Sequence, residues 1–136
     1  MGCVYADITL RNAFDVGNYM RGTMQEPDIR QVSVQALVDT GAGTLIINES
    51  LCQLLGLTII GEKYATLADK AVKRCKYTEP VEIHWGKRSS SVNAVIMEGA
   101  DEVLLGAIPL EDMDLIVDPA RQTLIGAHGD VPVIRI

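Results

Sequence analysis

The stretch "ALVDTGAGTLIIN", residues 36 to 48, sets one carboxylate, Asp39, directly behind an apolar run and ahead of two glycines, Gly41 and Gly43. Aspartate is among the side chains least often buried unless something pairs with it, so the chemistry here turns on what pairs with Asp39. Gly41 lets the backbone turn sharply and keeps a Cβ out of the path of an approaching substrate. Thr40 supplies a hydroxyl able to bond neighbouring backbone. The other candidate groups have plainer readings. His84 and His128 have no Ser or Cys pattern near them that would complete a triad. Cys3, Cys52 and Cys75 show neither CxxC nor Cys/His spacing, which argues against a disulfide framework and against a zinc site. Asp101, Glu102, Glu111, Asp112 and Asp114 surround "LLG" and read as a solvated rim or a helix N-terminal bias.

The elements that must hold Asp39 read mostly as strands. "CVYADITL" and "IRQVSVQALV" alternate apolar with polar residues, the second becoming wholly apolar as it reaches the aspartate. Between them "RNAFDVGNYMRGTMQEPD" mixes Gly, Asn, Asp and Pro and is expected to be a loop or ragged hairpin. "TLII" is a short strand, after which Asn48 caps the helix "ESLCQLL" and Gly56 ends it. Residues 62 to 98 give two or three long strands, with turns near Ala68-Asp69-Lys70 and Gly86-Lys87-Arg88 and an edge or bulge at Pro80. "EVLLGAIPLEDMDLIVD" adds a buried strand, a short helical turn beginning near Pro109 and a further strand; "TLIGA" and "VPVIRI" are the last strands. "QALVDTG" and "DEVLLG" each run an apolar strand into glycine, as two related halves of one domain would.

"LVDTGA" at 37 to 42, followed about sixty residues later by "LLG" at 104 to 106, resembles the retropepsin-like aspartic proteases over roughly residues 32 to 126. An Asp-Thr-Gly triplet alone arises by chance in roughly 3% of chains of this length, so the flanking strand and the later "LLG" carry the resemblance. It implies an all-β fold with one or two short helices, a closed β-barrel of acid-protease type filling residues 1–136 as a single domain. It also implies an aspartic endopeptidase working without metal or organic cofactor, with Asp39, Thr40 and Gly41 catalytic. The family's mechanism needs two neighbouring carboxylates and this chain has one Asp-Thr-Gly. The second is therefore expected from another copy, since a two-fold axis brings like residues face to face. Two carboxylates so close cannot both ionise and share a proton, one acting as base on water and the other as acid toward the carbonyl and leaving amine. The threonines would link the two catalytic loops. Ala42, Leu105 and Gly106 are expected to line the substrate site, with Ala68, Asp69, Lys70 and Ala71 at the tip of a flap closing over an extended peptide. Retroviral members have glycines at that tip and this chain has none between Gly61 and Gly86. The segments near Cys3 to Leu10 and Val131 to Ile136 would pair across subunits.

Composition narrows the alternatives. The net charge of −6 opposes nucleic-acid binding, and the basic run "KAVKRCK" reads as a solvated strand edge. No apolar run is long enough to span a bilayer, so no membrane partner is expected, and the start lacks the features of a secretory signal, which points to the cytoplasm. "DTGAGT" also looks like the phosphate loop of actin-like and sugar-kinase ATPases, but "DEVLLGA" and "AHGDVP" lack the spacing of the second loop those folds require. A dimeric peptide- or protein-binding module that keeps the protease fold without cutting is the other reading, since fold alone does not prove turnover.

Overall fold

The computed structural model describes residues 2–67 and 69–136. Its strands are β1 (Tyr5–Asn12), β2 (Gln31–Val38), β3 (Leu45–Ile47), β4 (Ile59–Thr66), β5 (Val72–Trp85), β6 (Arg88–Ile96), β7 (Val103–Leu105), β8 (Leu115–Asp118) and β9 (Thr123–Gly126). Among the described residues three α-helices interrupt them: α1 (Ala13–Met20), α2 (Glu49–Leu54) and α3 (Ala107–Asp112). Strand pairing runs β1-β2-β7-β3-β6-β5 and returns from β5 to β1, closing a six-stranded barrel. Alternation drives the closure: Ala6, Ile8 and Leu10 of β1 point inward with Ala36, and Leu10 faces Ile83 where the ring shuts. Leu10, Leu45, Ile47, Leu55, Val81, Ile83 and Leu105 are fully buried at the centre. A closed barrel removes its own edges, and β4 hangs outside on β5 as a charged edge strand. β8 and β9 form a separate hairpin.

Local chemistry explains much of this. The Asn48 side chain accepts the Leu51 N–H at 2.9 Å to start α2, and Gly56 leaves it at φ +61°, a conformation open to glycine. The β5–β6 register slips between Tyr77 and Pro80, the expected bulge.

Within the segment expected to be a loop or hairpin, Ala13–Met20 instead form helix α1, while residues 21–25 are the expected turn and Glu26–Asp28 a single 3-10 turn. The buried Asn12 side chain caps α1, accepting from Phe14 and Asp15 N–H at 3.0 and 3.1 Å while donating to the Leu55 carbonyl at 2.9 Å. Asp15, 3% exposed, accepts three bonds from Arg30: backbone N–H at 3.0 Å, Nε at 2.8 Å and Nη2 at 2.9 Å. The side-chain bonds from Arg30 hold the Asp15 carboxyl below its ordinary range in spite of burial. A depressed carboxyl contributes stability that is present above its unfolded value and lost as pH falls through the folded one. Asp15→Asn is therefore expected to cost about 2 kcal/mol at neutral pH, discounted because Arg30 is half exposed, and much less under strong acid. Thermal melts of both proteins across the acid range check this; an equal gap at every pH contradicts it.

"VPVIRI", expected as a last strand, pairs with no strand among the described residues of the subunit. Its approach is pinned instead: buried Arg88 donates to the carbonyls of Met113 at 2.9 Å, Asp114 at 2.7 Å and Gly129, and Asp114 accepts from Val133 N–H at 3.1 Å. Asp114 is thus buried, not part of a solvated rim, and its carboxylate also meets His128 Nδ1 at 2.9 Å. Val131, Val133, Ile134 and Ile136 remain exposed.

Candidate functional site

Asp39 stands where β2 and β7 run out side by side, paired in parallel as Ala36 with Val103, Leu37 with Leu104 and Val38 with Leu105. Its N–H donates to the Leu105 carbonyl at 3.0 Å, carrying the ladder one residue further. The chain then turns tightly: Ala42 N–H donates to the Asp39 carbonyl at 3.1 Å, and Gly41 N–H donates to the Asp39 carboxylate at 2.9 Å. The second half of the molecule grips this turn from behind. The first N–H groups of α3, which a helix leaves without internal acceptors, go to the loop: Ala107 to the Ala42 carbonyl at 2.8 Å and Ile108 to the Gly43 carbonyl at 3.0 Å. Gly106 makes that approach possible, since a Cβ there would sit 2.6 Å from the Ala42 carbonyl oxygen and closer still to that of Thr44. Held from behind, the loop faces outward with Asp39 half-buried and Thr40 and Gly41 exposed. Among the described residues the Thr40 hydroxyl has no hydrogen-bond partner within the subunit.

A row of half-buried side chains crosses the sheet beside this loop. Leu37 lies opposite Leu104, Leu104 opposite Ile46, Ile46 opposite Val95, Val95 opposite Tyr77 and Tyr77 opposite Gly61. Opposed residues share a face, and the intervening Leu45, Ile47, Ala94, Ile96 and Leu105 point the other way into the core. Asp39, two residues on from Leu37, continues the alternation onto the row's face. The row therefore forms an apolar wall running from the carboxylate to the β4–β5 hairpin.

That hairpin is the expected flap. At its tip Leu67 N–H donates to the Ala71 carbonyl at 2.8 Å, Lys70 N–H to that of Leu67 at 2.9 Å, and Ala71 N–H to the Asp69 carboxylate at 2.9 Å. Lys70 adopts φ 66°, so a lysine takes the left-handed turn that glycine fills most readily. Asp69, Lys70 and Ala71 are exposed, and no hydrogen bond joins them to the Asp39 loop among the described residues; Ala68 lies outside the described residues.

The sequence-predicted residues Asp39, Thr40, Gly41, Ala42 and Gly106 come together in one loop cluster. Leu105 does not face a ligand. It is fully buried beneath the loop, and Leu104 takes the open face because successive strand residues alternate. Ile46, Val95, Tyr77 and Gly61 were not singled out by sequence reasoning; their alternation was visible, but the register that aligns them was not.

A family model described as a gag-polyprotein putative aspartyl protease matches residues 26–112, which include β2, the Asp39 loop, the flap hairpin, β7 and α3. Among solved structures, the chain is similar to a retropepsin-like aspartic protease from Rickettsia conorii at 20% identity and a TM-score of 0.45. The match covers 77% of this chain and 66% of that one. No curated protein matches the chain.

Proposed function

Because the chain belongs to the gag-polyprotein putative aspartyl protease family, with a retropepsin-like fold, we propose that it is an aspartic endopeptidase whose active site is completed by a second copy of itself. One observation carries this reading. β2 and β7 are parallel neighbours entering the same loop cluster, but β2 delivers Asp39 whereas β7 delivers Gly106 in the corresponding place. The subunit holds half of a carboxylate pair, with the Asp39 and Thr40 side chains turned outward toward where a symmetry mate would stand. Two-fold association sets Asp39 against Asp39. The ionised member takes a proton from water as the oxygen adds to the peptide carbonyl; the protonated member gives its proton to the carbonyl oxygen. Collapse of the tetrahedral diol breaks the C–N bond, with a proton passing to the leaving nitrogen. The apolar wall holds an extended peptide from below and the hairpin supplies main-chain groups from above.

Incubation with a mixed peptide library, beside Asp39→Asn and with sedimentation in the presence of a transition-state peptide mimic, tests this. Wild-type cleavage and dimers tightened by the mimic support it. Peptide binding by a dimer that never cuts favours the binding-module reading instead.

Ala42 sets a further expectation. A hydroxyl at that position donates to the carboxylate and favours its charged form, which Ala42 does not do. The wild type is expected to work nearer neutral pH than proteases carrying the hydroxyl, and Ala42→Ser to move the activity profile toward acid by about one pH unit. A wild-type peak below about 3.5, near pepsin-type values, contradicts this.

A further inference from the structure

The β4–β5 hairpin sorts its side chains between two faces. Gly61 opposite Tyr77, Lys63 opposite Cys75 and Ala65 opposite Lys73 share one; Glu62 opposite Lys76, Tyr64 opposite Arg74 and Thr66 opposite Val72 share the other. Tyr77 also lies opposite Val95, which puts the first face in line with the apolar wall beside Asp39. Burial agrees for the uncharged members: Cys75 is buried and Gly61, Ala65 and Tyr77 half-buried, whereas Lys63 and Lys73 are exposed, as is every residue of the second face. Charge is sorted as well. On the outer face Arg74 is paired with Glu62 at 2.9 Å. The inner face carries Lys63 and Lys73 and no carboxylate, and among the described residues neither lysine has an ion-pair partner. Asp69 at the tip is engaged by Ala71 N–H. In a chain of net charge −6, residues 62 to 76 hold five of the 12 basic residues and two of the 18 acidic ones.

Lys63 is also positioned. Its Nζ stands 4.4 Å from the Tyr77 ring centroid, a cation–π contact. The ring in turn lies across Gly61, where a Cβ would come within 2.8 Å of it. The stack of Gly61, Tyr77 and Lys63 places an ammonium at the flap end of the apolar wall, exposed and free to meet a ligand.

Resting on the protease reading above, we infer that Lys63 is a specificity-determining residue that binds an acidic side chain of the substrate. The substrate class is an extended peptide with an apolar residue against Leu104, Ile46 and Val95 and a Glu or Asp toward the flap. The net-acidic body repels acidic peptides, so the hairpin is where such a peptide gains attraction.

Matched peptides differing only by Glu, Gln or Lys at each position around one cleaved bond test this. The wild type is expected to prefer Glu over Gln by about tenfold in kcat/KM at one position, less at high salt. Lys63→Met brings that ratio to about one, and Lys63→Glu turns the preference toward Lys. Lys76→Met, on the outer face, keeps the Glu preference. Cleavage with no acidic preference, or a preference that survives in Lys63→Met, overturns this inference and leaves the protease standing. Failure of the folded wild type to cut any peptide overturns both.

Discussion

Asp39→Asn is expected to lower kcat/KM for peptide cleavage by at least about 10⁴-fold, because one substitution removes both members of the pair and each acid–base role contributes about 10²–10⁴-fold. The fold should survive. Asn is close to Asp in shape and its amide oxygen still accepts the Gly41 N–H that the carboxylate accepts at 2.9 Å. The loop's remaining bonds, Asp39 N–H to Leu105 and the α3 N–H groups to Ala42 and Gly43, are all main-chain. Binding of an uncleavable peptide should therefore change little while turnover disappears, a split between kcat and KM that unfolding does not produce. A variant that keeps a tenth of wild-type activity places the chemistry elsewhere.

Gly106→Ala is expected to be nearly as damaging by a different route. The added methyl meets main chain, not a yielding side chain: the carbonyl oxygen of Ala42 at 2.6 Å, the Thr44 nitrogen at 2.7 Å and, nearer still, the Thr44 carbonyl oxygen. Either β7 and α3 back away, losing the bonds to Ala42 and Gly43, or the Asp39 loop shifts. Overpacking of this kind costs about 1–3 kcal/mol of stability, and a displacement of about 1 Å at a catalytic group costs about 10²-fold in rate. Gly43→Ala is the matched control, since a methyl there meets nothing within 4 Å. Thermal melts and kcat/KM for both variants check the contrast. A harmless Gly106→Ala means that the loop is not held from behind as described.

What the sequence revealed and what it hid divide along a physical line. Features set by neighbouring residues were legible: Asn48 capping α2, Gly56 ending it, the turns at 69–70 and 86–88, the bulge at Pro80, and the sharp loop after Val38. Features set by distant partners were not. Helix α1 contains Val16 and Gly17, weak helix formers, and is held by Asn12 reaching Leu55 and by Asp15 gripped by Arg30. Asp114 looked solvated among acidic neighbours, but its partners His128 and Val133 come from far along the chain. "VLL" is too short and too uniformly apolar to show which leucine faces the core; β3 decides it by pairing Leu105 with Leu45. At the site, the Asp39 loop could be read from its residue types, whereas the apolar wall and the lysine at its end exist only once six strands are in register.

The central claim is that one bond-breaking site takes an Asp39 from each of two chains. Refolding wild type together with Asp39→Asn in equal amounts, at fixed total protein, measures this directly. If both carboxylates are needed, only pairs of wild-type subunits cut, and activity falls to about one quarter of the unmixed wild type. Activity of about one half, declining in proportion to the wild-type fraction, contradicts it, because each subunit would then be cutting with its own aspartate alone.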